Sequence, residues 1–517
     1  MRRRDLLALI GVASGAATMF QSMTALGFVA ESPYKGPIRL DGDPKSASVL
    51  ILGAGLAGMV AAYELRKAGY KLQILEYNDR AGGRSWTIRG GDAYAELGGF
   101  TQKCAFDRGL YFNPGPWRIP YHHRAILDYC KRLGVALEPF VQVNHNAYVH
   151  SEDALGGRPQ RFRFVQADFN GAIAELLAKA ANKGALDELV TKEDQERLLD
   201  GLRRWGALDR NYAYVKGALS SNRRGFNKDP GGGFSGGPEF SQPLVLSDIL
   251  KLGFWSEFGS RGEYNAQTTM FQPVAGMDGI ARAFQREVGS LIRFNSKVTA
   301  IRQDQNGVTV AFEDLKRPEG VQTAHADWCL CTIPLSILSQ IEMNVGAPMQ
   351  AAIRAVSYAA SCKVGLQFKR RFWEEDEAIY GGITYTDLLI GQISYPSTGY
   401  HAQKGVLLGA YSPKFAALTP EESVKRALES GARIHPQYPA EFETGISVAW
   451  PRVPSALGCF AVWSDETRAQ HYKNLCAIDG RILLAGEHAS YLNAWQEGAV
   501  LSALEAITRL HQRIVAG

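Results

Sequence analysis

The early part of the chain alternates apolar runs with a stretch of helix-forming residues. Residues 48–52 (Ser-Val-Leu-Ile-Leu) form a short apolar run, which is typical of a buried parallel strand. Good helix formers follow at 59–67, and Gly69 suits the C-terminal end of a helix. A second run at 71–75 (Lys-Leu-Gln-Ile-Leu) predicts another strand. The pattern therefore indicates a strand–helix–strand unit and a fold of the α/β class.

Two later apolar runs have the same character. Residues 328–333 and 482–485 predict buried strands, and a helix is predicted from the residues after Trp495 to about Arg513. Two cysteines in the first of these runs, at 329 and 331, would face the same side of a strand. We expect both to be buried free thiols.

The N-terminus is first basic and then uncharged. Three arginines and an aspartate follow Met1, and no charged residue occurs between Leu6 and Ala30. This arrangement is typical of a secretory signal, and the arginines resemble the twin-arginine type. An uncleaved membrane anchor is the alternative. Glycine, serine and threonine residues dilute the run, so we expect cleavage, export to the periplasm or the medium, and no stable membrane insertion afterwards.

The composition of the chain limits the classes of protein to which it can belong. A chain of 517 residues is too long to fold around one hydrophobic core, so two or three substructures are expected. The formal net charge of +5 comes partly from the N-terminal arginines, and no later lysine or arginine run supports nucleic-acid binding. The seven cysteines are scattered without C-x-x-C or histidine at metal-ligand spacing, so neither a metal site nor a disulfide framework is predicted.

Glycines at the end of the first run carry the first functional signal. Gly53, Gly55 and Gly58 form a G-x-G-x-x-G pattern between strand and helix, and Glu76 follows the second strand. The first glycine allows a tight turn, the second lets a pyrophosphate approach the backbone, and the third lets the helix pack closely. The helix N-terminus favours phosphate, and Glu76 can accept hydrogen bonds from ribose hydroxyls. A dinucleotide site is therefore favoured over a glycine-rich turn that binds nothing.

A second pair of glycines lies in the run Asp79-Arg-Ala-Gly-Gly-Arg84. An open loop between arginines can wrap an anion, with Arg84 as a forked donor to phosphate; a solvated turn is the plainer interpretation. Together with the first glycine pattern, this run resembles the FAD-dependent amine oxidases, and within them the L-amino acid oxidases. The resemblance extends from about Ser46 to Leu510 and implies FAD as the cofactor.

The resemblance also implies a site for a substrate carboxylate. The run Gly115-Pro-Trp-Arg118-Ile-Pro is similar to the family motif whose arginine pairs with that carboxylate, and Tyr411 matches a tyrosine that assists it. Bidentate pairing of arginine with a carboxylate is strong and directional in a closed pocket. From residue chemistry alone, Arg118 could be a surface or structural arginine. Extra residues before the motif depart from the family pattern and could reshape the entrance.

Two further residues are implied to lie at the flavin. Lys363 resembles a lysine that holds water beside flavin N5, with a pKa lowered by burial and flavin contact; otherwise it is a solvent-facing charge on a strand. Trp495, preceded by Ala494 on the substrate side, matches an aromatic residue beside the flavin face; otherwise it is a core tryptophan. Tyr395 and Trp450 are weaker candidates for the pocket.

The remaining cofactor contacts are implied by the resemblance alone. The backbone at Val298 would meet the adenine, while Gly486 and Glu487 would approach the ribityl–phosphate region. The helix after Trp495 would point its N-terminus at the flavin and stabilise negative charge there. Residues 487–493 contain no cysteine, which is the attachment point in relatives with covalent flavin. Non-covalent FAD is therefore predicted.

We expect a Rossmann-like cofactor domain, a substrate domain and an insertion. The insertion begins as helix at 172–202 and then passes through a Gly/Pro-rich loop at 229–238 without strand or helix pattern. The predicted boundaries are an FAD-binding domain at 46–90, 268–345 and 471–517, a substrate-binding domain on a mixed β-sheet at 91–165 and 346–470, and a mainly helical insertion at 166–267.

The function implied is oxidative deamination of L-amino acids, with dioxygen as the acceptor. The products would be a 2-oxo acid, ammonia and hydrogen peroxide. An oxidase of primary amines or polyamines without a carboxylate, and a flavin-binding protein without turnover, remain the alternatives. A carotenoid-type desaturase would share the cofactor fold, but Arg118 and Lys363 argue against it. The sequence leaves a homodimer open.

Overall fold

A five-stranded parallel sheet contains the predicted strand–helix–strand unit. The computed structural model describes residues 34–186, 190–253, 268–317 and 320–516, so the predicted signal at 1–30 lies outside the described residues. All neighbouring strand pairs are parallel, and the carboxyl ends of the strands therefore meet at one edge of the sheet. The strand order is Ile292–Arg293, Lys71–Leu75, Ser48–Leu52, Trp328–Cys331 and Ile482–Leu484.

Three helices pack together beside this sheet around an apolar core. The helix Leu56–Lys67 (the nucleotide helix) contacts both Gln496–Ala516 (the C-terminal helix) and Asp278–Val288. The nucleotide helix begins before the predicted Met59, because the N–H of Met59 already donates to the carbonyl of Gly55 at 3.0 Å. Helix formation therefore starts directly at the glycine turn.

A seven-stranded mixed sheet forms around a second apolar core. One pair, Tyr148–His150 with Ile383–Thr386, is parallel and the others are antiparallel. Lys363 lies directly opposite Tyr411 on one neighbouring strand, so the register brings together two residues that come from separate motifs. The strand order is Phe442–Ala449, Cys362–Phe368, Gly405–Ser412, Gln392–Ser394, Ile383–Thr386, Tyr148–His150 and Gln160–Arg161.

A four-stranded sheet adjoins the parallel sheet. Its third strand carries a bulge between Val298 and Ala300, where the pairing register shifts. The strand order is Val321–Ala326, Val308–Asp314, Ser296–Gln303 and Glu342–Met343.

The other strands of the described residues pair two by two, and shorter helices connect the sheets. The pairs are Ile88–Arg89 with Tyr111–Phe112, Ala93–Glu96 with Phe100–Lys103, Leu137–Val141 with Thr269–Pro273, Ser357–Tyr358 with Ala461–Val462, and Phe226–Lys228 with Glu239–Phe240. The connecting α-helices are Arg124–Arg132, Leu335–Leu338, Ala347–Ala355, Phe372–Glu375, Pro420–Ala432, Tyr438–Glu441 and Asp465–Cys476.

The insertion is mainly helical, but it differs from the prediction in three places. The helical stretch predicted at 172–202 is divided between two helices, Phe162–Asn182 and Lys192–Trp205. Its first helix starts at Phe162 rather than Ala172, because Phe162, Val165 and Asp168 are buried along one face. The loop predicted to have no regular structure contains a short 3₁₀ turn and joins two short paired strands. Residues 254–267 of the insertion lie outside the described residues. Its α-helices are Phe162–Asn182, Lys192–Trp205, Ala218–Arg224 and Leu246–Lys251.

The sheets suggest a division of the chain that matches the proposed domains. Every strand of the parallel sheet comes from the three segments proposed for the FAD-binding domain, and every strand of the mixed sheet from the two proposed for the substrate domain. We retain those boundaries as a proposal. All seven cysteines are free, and Cys329 and Cys331 are buried as predicted. Within the described ranges, no helix combines the length and apolarity needed to cross a bilayer.

Gly58 tests the close packing of the nucleotide helix on its strand. A Cβ at this position would lie 2.0 Å from the Gly53 carbonyl oxygen, so Gly58→Ala should cost about 1–3 kcal/mol of stability and lower Tm. The matched control is Gly201→Ala on an exposed helix, where a Cβ meets no atom within 4 Å. That change should be neutral or stabilise by up to about 1 kcal/mol. Circular dichroism during thermal unfolding measures the Tm of both variants. Equal Tm values for the two variants would contradict the predicted loss of stability in Gly58→Ala.

Candidate active site

A cavity of about 860 Å³ lies at the carboxyl edge of the parallel sheet and extends to the mixed sheet. Residues that are far apart in the sequence therefore line one common cavity. Gly58 lies outside the cavity, in the first turn of the nucleotide helix. The other main site residues predicted from the sequence line the cavity: Gly53, Gly55, Glu76, Arg84, Arg118, Val298, Lys363, Tyr411, Gly486, Glu487, Ala494 and Trp495.

The glycine turn has the shape that a pyrophosphate requires. Gly53 has a φ of 101°, and a Cβ there would approach the Thr332 hydroxyl to 2.7 Å. Gly55 is the N-cap of the nucleotide helix and makes no side-chain cap. A Cβ on Gly55 would meet no atom within 4 Å, so the space in front of this helix N-terminus is open to a ligand. The free N–H groups there favour a phosphate.

Glu76 is buried at the end of the second strand, where a ribose acceptor is predicted. One carboxylate oxygen accepts from the Ala54 N–H at 2.7 Å, and the other accepts from the Asn78 N–H at 2.8 Å. Burial raises the pKa of Glu76 even though these N–H groups oppose the shift. A carboxylate has about four lone-pair positions, so acceptor capacity towards the cavity remains.

Arg84 and Glu487 form an ion pair across the cavity wall. The Arg84 Nη1 lies 2.8 Å from the Glu487 Oε1 and also donates to the Cys459 carbonyl at 2.9 Å. Glu487 accepts from the Ala494 N–H at 3.0 Å as well. Burial acts to raise the pKa of Glu487, but Arg84 and the other donors outweigh it, and the pKa is lowered. One guanidinium nitrogen of Arg84, the predicted phosphate donor, is therefore bonded to Glu487.

Lys363 is buried beside the cavity rather than exposed on its strand. Its ammonium group donates to the carbonyl of Gly115 and lies 4.2 Å from the ring centroid of Trp117 and 4.8 Å from that of Tyr411. Burial, assisted by the positive charge of Arg118, lowers the pKa of Lys363 to about 7. The amine can therefore change its protonation state near neutral pH.

Arg118 lies against the aromatic side of the same cavity. Its guanidinium carbon is 5.0 Å from the ring centroid of Trp117 and 5.9 Å from that of Trp495. The next residue, Ile119, is fixed by backbone hydrogen bonds to Phe271 of 2.7 and 2.9 Å. Trp495 is only partly buried and lines the cavity, and its place beside the flavin face stays a prediction. The site thus combines a permanent cation with two indole rings.

Trp117 and Cys459 are among the cavity residues that the sequence did not indicate. Trp117 lies inside the arginine motif but carried no recognised signal, and Cys459 lies in a turn without any pattern. Of the weaker candidates, Trp450 lines the cavity and donates to the Pro114 carbonyl at 2.9 Å. Tyr395 instead borders a separate cavity of about 110 Å³ and hydrogen-bonds within the core of the mixed sheet.

Comparison with known proteins gives the class that this fold and site define. Residues 56–511 match the family described as flavin containing amine oxidoreductase. The chain is 30% identical over 479 residues to an L-amino-acid oxidase of Siganus canaliculatus, covering 90% of this chain and 86% of the relative. It is 26% identical to an L-amino-acid oxidase of Vipera ammodytes ammodytes, covering 89% and 91%. The chain belongs to the flavin-containing amine oxidoreductases, and its cofactor is FAD.

Solved structures confirm the fold. A putrescine oxidase bound to putrescine superposes with a TM-score of 0.58 at 17% identity, covering 91% of this chain and 99% of that one. The fold is the mixed α/β architecture predicted from the sequence. The open space before Gly55, the buried Glu76 and the cavity volume of about 860 Å³ fit FAD. The part of the chain with described placement contains no group of three or more His, Cys, Asp or Glu suited to a metal ion.

The mode of flavin attachment can be tested directly. Because residues 487–493 lack cysteine, acid precipitation of the protein should release all FAD into the supernatant. Absorbance of the supernatant and pellet measures the two fractions. Flavin that stayed in the pellet would contradict non-covalent binding. Repeating the experiment with Cys459→Ser would then show whether the thiol on the cavity wall is the attachment point.

Proposed function

We propose that this protein oxidises L-amino acids with dioxygen. An amino acid, dioxygen and water would give a 2-oxo acid, ammonia and hydrogen peroxide. The observation that carries the proposal is Arg118, a permanent cation fixed in the flavin cavity beside two indole rings. The named activity of the relatives supports the same assignment.

The residues of the chain divide the work of binding and orientation. Arg118 would hold the substrate carboxylate through paired N–H donors, with Tyr411 beside it and Trp495 forming a wall. Burial raises the pKa of the Tyr411 hydroxyl, which keeps it a neutral donor. FAD would accept a hydride from the α-carbon and pass both electrons to dioxygen. Positioning of the α-carbon would supply much of the rate.

Lys363 and Arg118 would also select the protonation state of the substrate. Two cationic groups beside the site disfavour a protonated amine, and a neutral amine is the form that can lose hydride. Lys363 can hold a water molecule through its amine, because its pKa near 7 leaves a substantial neutral fraction. Such a water molecule would be available to hydrolyse the imino acid product. No general base is required in this scheme.

Replacing Arg118 distinguishes an amino acid substrate from a simple amine. Arg118→Ala should lower kcat/KM for L-amino acids by about 100-fold or more, since the carboxylate loses a buried charged partner. Oxidation of the corresponding amines without a carboxylate should change little. The control is Arg108→Ala, which removes an exposed arginine from the same region. Unchanged kcat/KM for amino acids in Arg118→Ala would favour the amine oxidase alternative.

Lys363 should control the reaction with dioxygen in a pH-dependent way. Its charge, present below a pKa of about 7, would stabilise negative charge on dioxygen during reduction. Flavin reoxidation should therefore be faster below pH 7 than above it, and Lys363→Met should slow it by about 100-fold and remove the inflection. Stopped-flow mixing of reduced enzyme with dioxygen measures both effects. Unchanged reductive and oxidative rates in a variant that retains FAD would exclude this role.

Export is a separate proposal that rests on residues 1–30 alone. The basic start and uncharged stretch support a twin-arginine signal, a route that carries folded proteins with their cofactor. The proposed mature protein would then act outside the cytoplasm on free amino acids.

A further inference from the structure

The helix that follows the Arg118 segment lacks a capping side chain of its own. This helix, Arg124–Arg132 (the arginine-loop helix), has His123 as N-cap without a side-chain cap and no acidic residue in its first turn. The first N–H groups of any helix have no partner within the helix and need acceptors from elsewhere.

Glu497 supplies both acceptors from the other end of the chain. Its Oε1 accepts from the Ala125 N–H at 3.0 Å and its Oε2 from the Ile126 N–H at 2.8 Å. Glu497 is only 1% exposed and lies in the first turn of the C-terminal helix, two residues after Trp495. One carboxylate therefore joins the N-terminal turns of two helices, and both helix dipoles favour its negative charge.

The junction lies next to the substrate side of the cavity. The ring of His123, at the start of the arginine-loop helix, lies 5.0 Å from that of Trp495 at an angle of 86°. Trp495 in turn lies 5.9 Å from the Arg118 guanidinium. Pairing of Ile119 with Phe271 fixes the near end of the connecting segment, and the Glu497 cap fixes its far end. The position of Arg118 relative to Trp495 is thus held from both sides.

Burial of the Glu497 carboxylate without a cationic partner costs free energy of folding. Burial raises its pKa to about 7 even though the two N–H groups act against this shift. In the described parts of the chain, no lysine or arginine forms a salt bridge with it. Buried carboxylates are normally paired with a cation, as Glu64 is with Arg132 at 3.0 Å. The Glu497 carboxylate lies instead between the first turns of two helices.

We propose that Glu497 is a positioning residue for the substrate carboxylate. It locks the start of the arginine-loop helix onto the first turn of the C-terminal helix, and so sets Arg118 against Trp495. This inference rests on the proposed function, because it assumes that Arg118 binds the carboxylate.

The test measures carboxylate binding by the holoenzyme without turnover. Benzoate is titrated into the oxidised protein at about pH 8, where Glu497 is ionised, and the flavin absorbance gives Kd. Glu497→Gln places an amide N–H against a backbone N–H, so Kd should rise about tenfold, while FAD stays bound. Glu497→Asp keeps the charge with a shorter reach and should recover part of the affinity. KM for L-amino acids should rise with Kd, whereas kcat/KM for amines lacking a carboxylate should not change.

Glu64→Gln is the matched control, a buried carboxylate of the nucleotide helix that contacts the other end of the arginine-loop helix. Glu64 is 3% exposed and accepts from the Tyr129 hydroxyl at 2.7 Å, so it ties down the opposite end of the arginine-loop helix. Its variant should lose thermal stability but bind benzoate like the wild type. Equal weakening in the Glu64 and Glu497 variants, or wild-type Kd in both Glu497 variants, would overturn the proposal. A wild-type protein that does not bind benzoate would overturn the carboxylate site itself, and this proposal with it.

Discussion

The ion pair between Arg84 and Glu487 joins two parts of the chain that are 403 positions apart. Arg84 also fixes the turn at Cys459, and Glu487 also fixes Ala494 in its own loop, so three separate segments meet in one hydrogen-bonded group. Both side chains are largely withdrawn from water, and breaking a buried pair of this kind costs about 3–5 kcal/mol. The pair therefore holds the glycine loop and the Trp495 turn in a single geometry, on which the shape of the cavity depends.

The electrostatics of the cavity follow from placing two cations in a poorly solvated space. Arginine does not lose its proton in proteins, whereas a buried lysine readily does. Burial and the nearby charge of Arg118 therefore lower the pKa of Lys363, whereas Arg118 itself stays charged. The result is one fixed cation suited to a carboxylate and one titratable amine suited to proton and water chemistry. A simple amine would make no use of the fixed cation.

The strands of the parallel sheet and the glycine turn at Gly55 could be predicted from the sequence, because local pattern determines both. The glycines near Gly55 are needed for the conformation of the turn in which they lie. The apolar runs are apolar because their strands are buried. The contact between Lys363 and Tyr411 depends on strand register, which no single segment reveals. Trp117 could not be recognised from its own segment, because its contact with Lys363 comes from a strand of the mixed sheet. Nothing in the sequence around Glu497 indicates its partners at Ala125 and Ile126, because they come from a distant helix.

The most direct test of the central claim is anaerobic mixing of the holoenzyme with matched pairs of substrates, followed by flavin absorbance. Each pair consists of an L-amino acid and the amine formed by removing its carboxylate, with the D-amino acid as a third member. The account predicts rapid loss of the oxidised flavin absorbance with L-amino acids and little change with the other two. Loss of absorbance only with the amines, or no loss with any member, would contradict it.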